Sequence, residues 1–541
     1  MTPKTSFAKL ALLGGNIVTI DEKRPRAQAV YVLGDRIAKV GSDSEIRPLV
    51  DNETETIELK GRTVVPGFVD CHAHPMSYGQ QLLNVDCRTP PNHSIEELIE
   101  CIREAAERSE EGEWIRGAGY DDFKLSEKRN PNRWDLDKAA PLNPVMITRM
   151  CGHVSVVNSL ALELARITKD TKDPEGGEID RDPETGEPTG VLRGGARAPL
   201  RGLIPPPSLE RLKEGIRLSS AKFIAKGVTS VSDAGVGNPL VVKAYQAAID
   251  EGMHLRVNMM PSVSSLEHLT RLGLGTGFGG SRLRIGAIKM VFDGSFTGRT
   301  AAMVEPFRDT PDNRGILYMS GEELEANVLK AYEAGYQVGV HAIGDRAISG
   351  VLDAYEKALN KAPRDDHRLR IEHCGINSLE IVSRIKEFGV IPVPQPIFLW
   401  GEGESYLVGL EEERTDWAYP VKTWMDAGIT VALSSDCPAT SGSELVSPLL
   451  GIHVAVNRKT DAGNDVGPGQ KVGVEEAIKG YTLNSAFATF EEDNRGSIEP
   501  GKLADLVVLT EDPITVDPGT IKDIKVDITI VGGKIAFRRT P

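Results

Sequence analysis

The amino-acid sequence predicts an α/β protein: a (β/α)8 TIM barrel, a small β-sandwich domain built from both termini, and an insert after barrel strand one. Three observations support this fold class. A helix, a glycine and an apolar strand recur in that order along the chain, and the apolar strands number eight. Both ends of the chain alternate apolar with polar residues, which is typical of half-exposed strands.

The recurring helix–glycine–strand pattern marks where helices end. Residues Ser208–Lys226 have the periodicity of an amphipathic helix, and Gly227 follows them directly before the apolar run Val228–Asp233. Glycine suits the left-handed position just after a helix because it has no Cβ atom. The same order predicts further helix ends at Gly252, Gly335, Gly389 and Gly428.

Eight strands that alternate with helices predict a closed parallel barrel. An open doubly wound sheet is the alternative, but its nucleotide-binding fingerprint is missing. The segment Gly275–Gly280 has the G-x-G-x-x-G spelling, yet it precedes a strand instead of opening a helix. We number the predicted strands one to eight in chain order: Thr63–His74, Val228–Asp233, His254–Met260, Leu283–Val291, Tyr336–His341, Leu369–His373, Val390–Gln395 and Ile429–Asp436.

The predicted barrel spans residues 63–483, and two other regions are predicted beside it. Residues 1–62 and 484–541 have strand-like alternation and turn glycines, but neither segment has a large core alone. We therefore expect them to pair into one β-sandwich domain. Residues 79–207 form an insert between strands one and two that is far longer than an ordinary βα loop.

Composition limits the classes of partner. The formal net charge of −15 argues against nucleic acid or an anionic membrane surface. No apolar run approaches the ~20 residues that span a bilayer, and the N-terminus lacks the pattern of a signal peptide. The six cysteines include no C-x-x-C pair, and several fall in predicted core strands, as in reduced cytosolic proteins. We expect a cytoplasmic protein with a small-molecule substrate and no nucleic-acid or membrane partner.

The stretch PGFVDCHAHP closes strand one with two histidines, His72 and His74. Side chains two positions apart in a strand point the same way, so both imidazoles can bind one metal ion. Most short histidine pairs in soluble proteins bind no metal, so the interpretation depends on the rest of the chain.

Four further strand ends carry polar residues of a metal-binding or catalytic type. In a barrel, the C-terminal ends of the strands form the catalytic rim. A single polar residue at a strand end is more often structural, but the convergence of six such residues on one rim predicts a metal site. The four residues are Lys289, His341, His373 and Asp436, at the ends of strands four, five, six and eight.

These motifs resemble the metal-dependent amidohydrolase superfamily over nearly the whole chain. The histidine pair, the lone histidines of strands five and six, the aspartate of SSDCP and the tail GSIEPGKLADLVVL match its pattern. Within the superfamily, IKMVFDGSFTGRTA, GVHAIGDRAI and GHVSVVNSLAL resemble amidohydrolase family 3, in the branch that contains N-substituted formamide deformylase.

The resemblance implies a site for two divalent ions per chain, with zinc as the expected metal and other divalent metals as alternatives. Two such ions ~3.5–4 Å apart repel by roughly 20 kcal/mol at an effective dielectric of ~20, so an anionic bridge is needed. Lys289 carboxylated by CO2 to a carbamate would supply that bridge. The alternative is a single metal, with Lys289 paired to Asp293. The implied ligands are His72, His74 and Asp436 for one ion and His341 and His373 for the other.

The implied activity is hydrolysis of a non-peptide C–N bond, of the amide, N-formyl or N-acyl amine type. A metal-activated hydroxide would attack, with Asp436 as general acid and base. Hydrolysis of esters, lactones or carbamates on the same site is an alternative. A mononuclear deaminase is another, although Gly344 stands where such enzymes carry a glutamate. A catalytically retired metal-binding protein is the third, but no ligand is missing from the pattern.

Five residues are predicted to contact the substrate. His153 matches a histidine that is typical of family 3, and the others lie in loops or strand ends that face the predicted rim. Homo-oligomers are common in the family, and we expect a dimer. The predicted substrate-binding residues are His153, Asp293, Arg299, Gln395 and Trp400.

Overall fold

The computed structural model describes residues 8–150, 153–174, 176–439 and 446–540. The chain forms two compact units, one made of residues up to Met76 together with residues from Ser219 onward, the other of Ser77–Leu218. Both units mix helices with strands. Among the described residues, no helix has the length and apolar character needed to cross a membrane.

Two sheets of the first unit come from the ends of the chain. They share one hydrophobic core, in which Leu12 and Val30 belong to one sheet and Leu506 and Ile528 to the other. In hydrogen-bonding order, the first sheet is Arg36–Gly41, Ala29–Leu33, Lys9–Leu13 and Thr54–Glu58, and the second is Lys534–Arg538, Val526–Val531, Leu506–Leu509, Thr63–Pro66, Asn16–Val18 and Arg26–Ala27.

Predicted strand one, Thr63–His74, is two strands in the structure. Thr63–Pro66 joins the six-stranded terminal sheet, and only Phe68–Ala73 joins a parallel sheet. Gly67 separates the two, and a Cβ atom there would lie 2.4 Å from Oγ1 of Thr229. The prediction of one continuous strand was wrong, because an apolar run indicates burial without indicating which sheet the run joins.

The remaining predicted strands up to strand seven lie in two four-stranded sheets, in which every pairing is parallel. Strand four is split at Gly286, where a Cβ atom would lie 2.5 Å from Nδ2 of Asn258. A parallel bridge between Ser262, just after strand three, and Lys289, in the second part of strand four, links the two sheets. The sheets are, in order, Leu283–Ile285, Arg256–Pro261, Val228–Val236 and Phe68–Ala73, and then Ile288–Val291, Val338–Ala342, Arg370–His373 and Ile391–Val393.

Predicted strand eight, Ile429–Asp436, does not form a regular strand. Its backbone still bonds to the neighbouring strands, because Ala432 N donates to Pro392 O (3.2 Å) and Asp436 N donates to His72 O (2.8 Å). Asp436 has a φ of 57°, in the left-handed region. This conformation interrupts the extended backbone where the segment reaches the histidine pair.

The predicted helix-ending glycines are confirmed. Gly227, Gly252, Gly335, Gly389 and Gly428 all have positive φ, between 62° and 99°.

Two helices, Pro75–Leu82 and Leu209–Ala225, contain residues of both units. The other helices of the first unit are Asp43–Ile46, Pro239–Asp250, Leu266–Arg271, Gly321–Glu333, Asp345–Lys361, Leu379–Phe388, Phe398–Gly401, Gly403–Gly409, Val421–Asp426, Pro448–Asn457, Val474–Gly480 and Leu483–Phe487.

The second unit has a sheet and a hydrophobic core of its own. Leu98 and Ile102 of one helix pack in this core with Leu136, Ile147 and Val156. The strands are, in hydrogen-bonding order, Gly177–Arg181, Pro188–Gly194, Val154–Val157, Val145–Arg149, Ile115–Tyr120 and Val85–Asp86, and the helices are Ile95–Glu107, Arg133–Ala139, Ser159–Leu164 and Ala198–Arg201.

Candidate metal centre

Three of the predicted ligands converge at the ends of their strands. One ligand atom from each of His72, His74 and Asp436 lies within 4.8 Å of the other two. Oδ1 of Asp436 lies 3.3 Å from Nε2 of His72 and 3.0 Å from Nε2 of His74. Side chains two positions apart on strand one thus meet the aspartate of the strand-eight segment, as the sequence pattern predicts.

The acceptor in this cluster faces imidazole nitrogens but makes no hydrogen bond of regular geometry with a described residue. Oδ1 of Asp436 is buried and has no hydrogen-bond partner among the described residues. Burial alone would raise the pKa of the Asp436 carboxyl, but His72 and His74 hold it well below its usual range. An ionised carboxylate with an unsatisfied buried oxygen, facing two imidazole nitrogens, suits a divalent cation.

Glu372 and Arg370 fix the orientation of His72. The Glu372 carboxylate contacts Nδ1 of His72, so this nitrogen carries the proton and Nε2 presents its lone pair to the cluster. Arg370 donates two hydrogen bonds to Glu372, at 2.8 and 2.9 Å. Burial opposes the charge, but Arg370 and His72 keep the pKa of Glu372 well below its usual range. Such an outer carboxylate sets the tautomer of a metal-binding histidine.

His373 lies beside His72, with ring centroids 4.9 Å apart. Glu372, the residue before His373, also contacts His72. In a regular strand, adjacent side chains point to opposite faces, so both could not reach His72. The left-handed φ of His373, 70°, breaks this alternation. Nδ1 of His373 lies 2.7 Å from Oε1 of Gln395, whose amide nitrogen donates to Ser434. Nε2 is therefore the nitrogen of His373 that is left for a metal.

His341 completes the second pair, with its ring centroid 4.3 Å from that of His373. Its Nε2 lies 3.1 Å from the carbonyl oxygen of Gly294, which only accepts hydrogen bonds, so Nδ1 carries the lone pair. Burial, and then the neighbouring Lys289, lower the pKa of His341 to about 3. Both histidines of this pair are therefore neutral near pH 7, which is the form that binds metal.

Lys289 reaches the same centre. Its Nζ lies 3.4 Å from Nε2 of His72, and the side chain is buried. Burial lowers its pKa to about 8, which raises the fraction of the neutral amine, the form that can attack CO2. The alternative pairing with Asp293 is not formed, because the Asp293 oxygens instead accept hydrogen bonds from the backbone amides of Ala302, Ile343 and Gly344 at 2.8–2.9 Å.

The predicted substrate contacts separate into different environments. Gln395 is fully buried and bonded to His373, while Asp293 lies 3.4 Å from Nε2 of His341. Arg299 directs its N–H groups to Asp309, Ser405 and Phe296, which favours a role in holding its loop against helix Gly403–Gly409. The ring of Trp400 contacts His453. His153 belongs to the second unit, next to residues outside the described ranges, and its role stays a prediction.

Sequence reasoning missed four residues that support the centre. Arg370 and Glu372 are one group, and Asp70 with Ser435 is the other. The Ser435 hydroxyl and amide donate to Asp70 at 2.5 and 3.0 Å, which ties strand one to the segment that carries Asp436. The available signal was the run LRIEHC, where two charged residues alternate within a strand that is otherwise apolar.

A mixed α/β fold with histidines and an aspartate at its strand ends is the arrangement expected of a metal-dependent hydrolase, the class of the similar solved structures. The sequence profile of the Amidohydrolase family matches residues 55–537, and the chain belongs to this family. The predicted membership is thereby confirmed.

Individual relatives extend over the whole chain. N-substituted formamide deformylase of Arthrobacter pascens is 32% identical over 549 residues, which cover 99% of each chain. A solved structure of an uncharacterized metal-dependent hydrolase from Pyrococcus furiosus has a TM-score of 0.79 and 32% identity, covering 94% of this chain and 100% of that one. Another, from Pyrococcus horikoshii OT3, has a TM-score of 0.78 and 29% identity, covering 95% of this chain and 99% of that one.

Proposed function

We propose that the chain hydrolyses the C–N bond of a small amide, of the N-formyl or N-acyl amine type, with metal bound at His72, His74 and Asp436. The observation that carries the proposal is the unsatisfied oxygen of Asp436 facing the two histidines. The similarity to N-substituted formamide deformylase supports the class of substrate.

The proposed metal content is two zinc ions per chain. His341 and His373 would hold the second ion, and Lys289, carboxylated by CO2, would bridge the two. The burial of Lys289 beside His72 supports this role. When bound, the metal lowers the pKa of a water to about 7 and polarises the scissile carbonyl.

Asp436 is the proposed general acid and base. Its carboxylate takes a proton from the attacking water and delivers it to the nitrogen of the leaving amine. Amides need this second transfer, because an amide anion is a very poor leaving group. The left-handed backbone that presents Asp436 to the cluster is the kind of strain that functional sites retain.

Deamination is the less favoured reaction. The glutamate of superfamily deaminases would stand at Gly344, and a Cβ atom there would lie 2.0 Å from the carbonyl oxygen of Ala302. No side chain fits at this position without moving the backbone. The geometry therefore supports hydrolysis of an amide over removal of an amino group.

We further propose that residues 63–483, apart from Thr63–Pro66 of the terminal sheet, form a closed (β/α)8 barrel beside a terminal β-sandwich, with 79–207 as its insert. The bridge between Ser262 and Lys289 supports closure on one side, and the bond from Asp436 N to His72 O supports it on the other. A cytoplasmic homodimer with a small-molecule substrate completes the proposal.

A hydrolysis panel tests the activity. N-alkyl and N-aryl formamides would be compared with the matched acetamides and with formate esters of the matched alcohols, each with and without a chelator. We expect amine release from the formamides or acetamides, lost with the chelator and restored by zinc. Cleavage of the esters alone, or chelator-resistant cleavage, would contradict the proposed C–N hydrolysis.

A further inference from the structure

A cavity of about 700 Å³ lies against strands three and four of the first unit. This volume falls within the range of small-molecule binding sites. Its wall is formed by the two strands, by helix Pro239–Asp250 and by the glycine-rich loop after Leu266–Arg271. Most of the wall is apolar, with side chains that include Val242, Met259, Leu269, Phe278 and Ile285.

The cavity is open because strand three is followed by a short helix. Leu266–Arg271 has six residues, whereas Asp345–Lys361, which follows strand five, has 17. A short helix leaves apolar surface of the strands uncovered. Accordingly, Phe278 is 57% exposed and Val242 is 37% exposed at this cavity.

The charged side chain in the wall is a cation. Arg284 lines the cavity, and no aspartate or glutamate is among the described lining residues. Its Nη1 lies 3.1 Å from Glu491, while its Nε is buried without a hydrogen-bond partner. Its Nη2 faces the glycine-rich loop, 3.3 Å from where a Cβ atom of Gly277 would lie. The guanidinium thus has donor capacity beyond its ion pair.

Arg284 belongs to a larger group of buried and partly buried charges, which we call the arginine cluster. Asp505 pairs with one of its arginines at 2.8 Å, and Glu491 pairs with two others at 2.9 and 3.1 Å. The four guanidinium groups therefore outnumber the two carboxylates that pair with them, and they still exceed the negative charges when Asp35, which acts on Arg256, is added. The members are Arg256, Arg282, Arg284, Arg495, Glu491 and Asp505.

Several donors of the arginine cluster are unsatisfied. Nε of Arg282, Nε of Arg284 and both Nε and Nη1 of Arg495 are buried without a partner among the described residues. Burial, followed by the nearby Arg256, lowers the pKa of Arg282, and Asp505 opposes this shift without cancelling it. An anion placed at the Arg284 end of the cavity would reduce this electrostatic cost.

We propose that the cavity binds a small amphipathic carboxylate, with its alkyl or aryl part against the apolar wall and its carboxylate at Arg284. The apolar wall favours the hydrocarbon part of the ligand, and the excess positive charge of the arginine cluster favours the carboxylate. This site lies outside the metal centre and does not depend on the proposed hydrolysis.

Octanoate is a suitable probe, with 1-octanol as its uncharged match. Titration calorimetry on the full-length, zinc-loaded protein should give saturable binding of about one octanoate per chain, at least about tenfold tighter than octanol. No saturable binding, or equal affinity for the two probes, would overturn the proposal.

Variants locate the site. Val242→Trp fills the cavity from its partly exposed wall and should weaken octanoate binding by about tenfold or more, while Val408→Trp, at an exposed position elsewhere, should not. Arg284→Gln should reduce octanoate to the affinity of octanol, and Arg284→Lys should keep the preference. Unchanged binding in Val242→Trp would overturn the assignment.

A second copy of the chain is the competing occupant, because Phe278 is exposed beside the cavity. Sedimentation equilibrium of the wild type and Val242→Trp separates the two cases. A dimer that this substitution disrupts, in a protein that does not bind octanoate, would assign the cavity to an interface and overturn the carboxylate site.

Discussion

The metal centre and the arginine cluster are both buried and charged, yet they leave opposite kinds of atom without a partner. Among the described ligand atoms of the metal centre that atom is an acceptor, Oδ1 of Asp436, and an unpaired donor nearby, Nη1 of Arg370, lies in the supporting layer behind Glu372; in the arginine cluster the atoms are N–H donors such as Nε of Arg495. An unsatisfied buried polar group costs on the order of 1–3 kcal/mol, so each region is suited to a ligand of the opposite kind. The comparison teaches that the type of unpaired atom, more than burial itself, indicates what a site binds.

Asp436→Asn should have the largest effect on the metal side of this comparison. Loss of the proton-transferring carboxylate should lower kcat by about 100- to 10,000-fold, while much of the zinc stays bound to the histidines. Steady-state rates and metal content, measured on the same preparation, check both parts. Asp353→Asn, at an exposed ion pair with Arg384, is the matched control. A near-normal rate in Asp436→Asn would contradict the assigned role.

Asp505→Asn should have the largest effect on the arginine side. Asp505 accepts two hydrogen bonds from Arg256, at 2.8 and 2.9 Å, in a fully buried setting. Removing its charge leaves the guanidinium unpaired, and we expect a loss of about 3–5 kcal/mol in the free energy of unfolding. Denaturant titration measures this loss, with Asp523→Asn, at an exposed pair with Lys522, as the control. Equal stability of the two variants would show that the cluster does not depend on this carboxylate.

Glu372→Gln sharpens the comparison because it changes the residue that orients His72 and leaves the predicted metal ligand His72 unchanged. The neutral amide no longer compensates Arg370 or fixes the proton on Nδ1 of His72. We expect the zinc affinity to fall by about 10- to 100-fold, measured by competition with a chromophoric chelator. Glu356→Gln serves as an exposed control. Unchanged affinity would mean that Glu372 does not orient His72.

The smallest expected effect is that of Gly389→Ala, which measures the free-energy cost of a left-handed backbone like the one at the metal centre. Gly389 ends a helix with a φ of 62°, close to the values of His373 and Asp436. A Cβ atom at Gly389 would meet no atom closer than 3.7 Å, so Gly389→Ala measures left-handed strain alone, about 1–2 kcal/mol in unfolding free energy. Gly321→Ala, at a helix start with open space, should cost less. If Gly389→Ala is as stable as wild type, the conformation of Asp436 carries no strain of this kind.

The parts of the structure that the sequence predicted follow from local periodicity. His72 and His74 share a strand face, and the helix-ending glycines occupy left-handed positions, because both depend on neighbouring residues only. The division of Thr63–His74 between two sheets depends on distant partner strands, so the apolar run alone did not reveal it.

The arginine cluster and the supports of the metal centre show the same limit. Arg256 and Asp505 are 249 positions apart, and His72 and Glu372 are 300 apart. No periodic pattern connects residues at such separations, so their contacts emerge only from the fold. The sequence shows the charged pair Arg370 and Glu372 inside strand six, but it does not show that Glu372 contacts His72.

Elemental analysis of metal per chain tests the central claim most directly. The protein would be produced with zinc and bicarbonate, and a variant with both His72 and His74 replaced by alanine would be treated alike. We expect about two zinc ions per wild-type chain and fewer in the variant. About one ion in the wild type would contradict the carbamate bridge at Lys289. No bound zinc after this loading would contradict the metal centre itself.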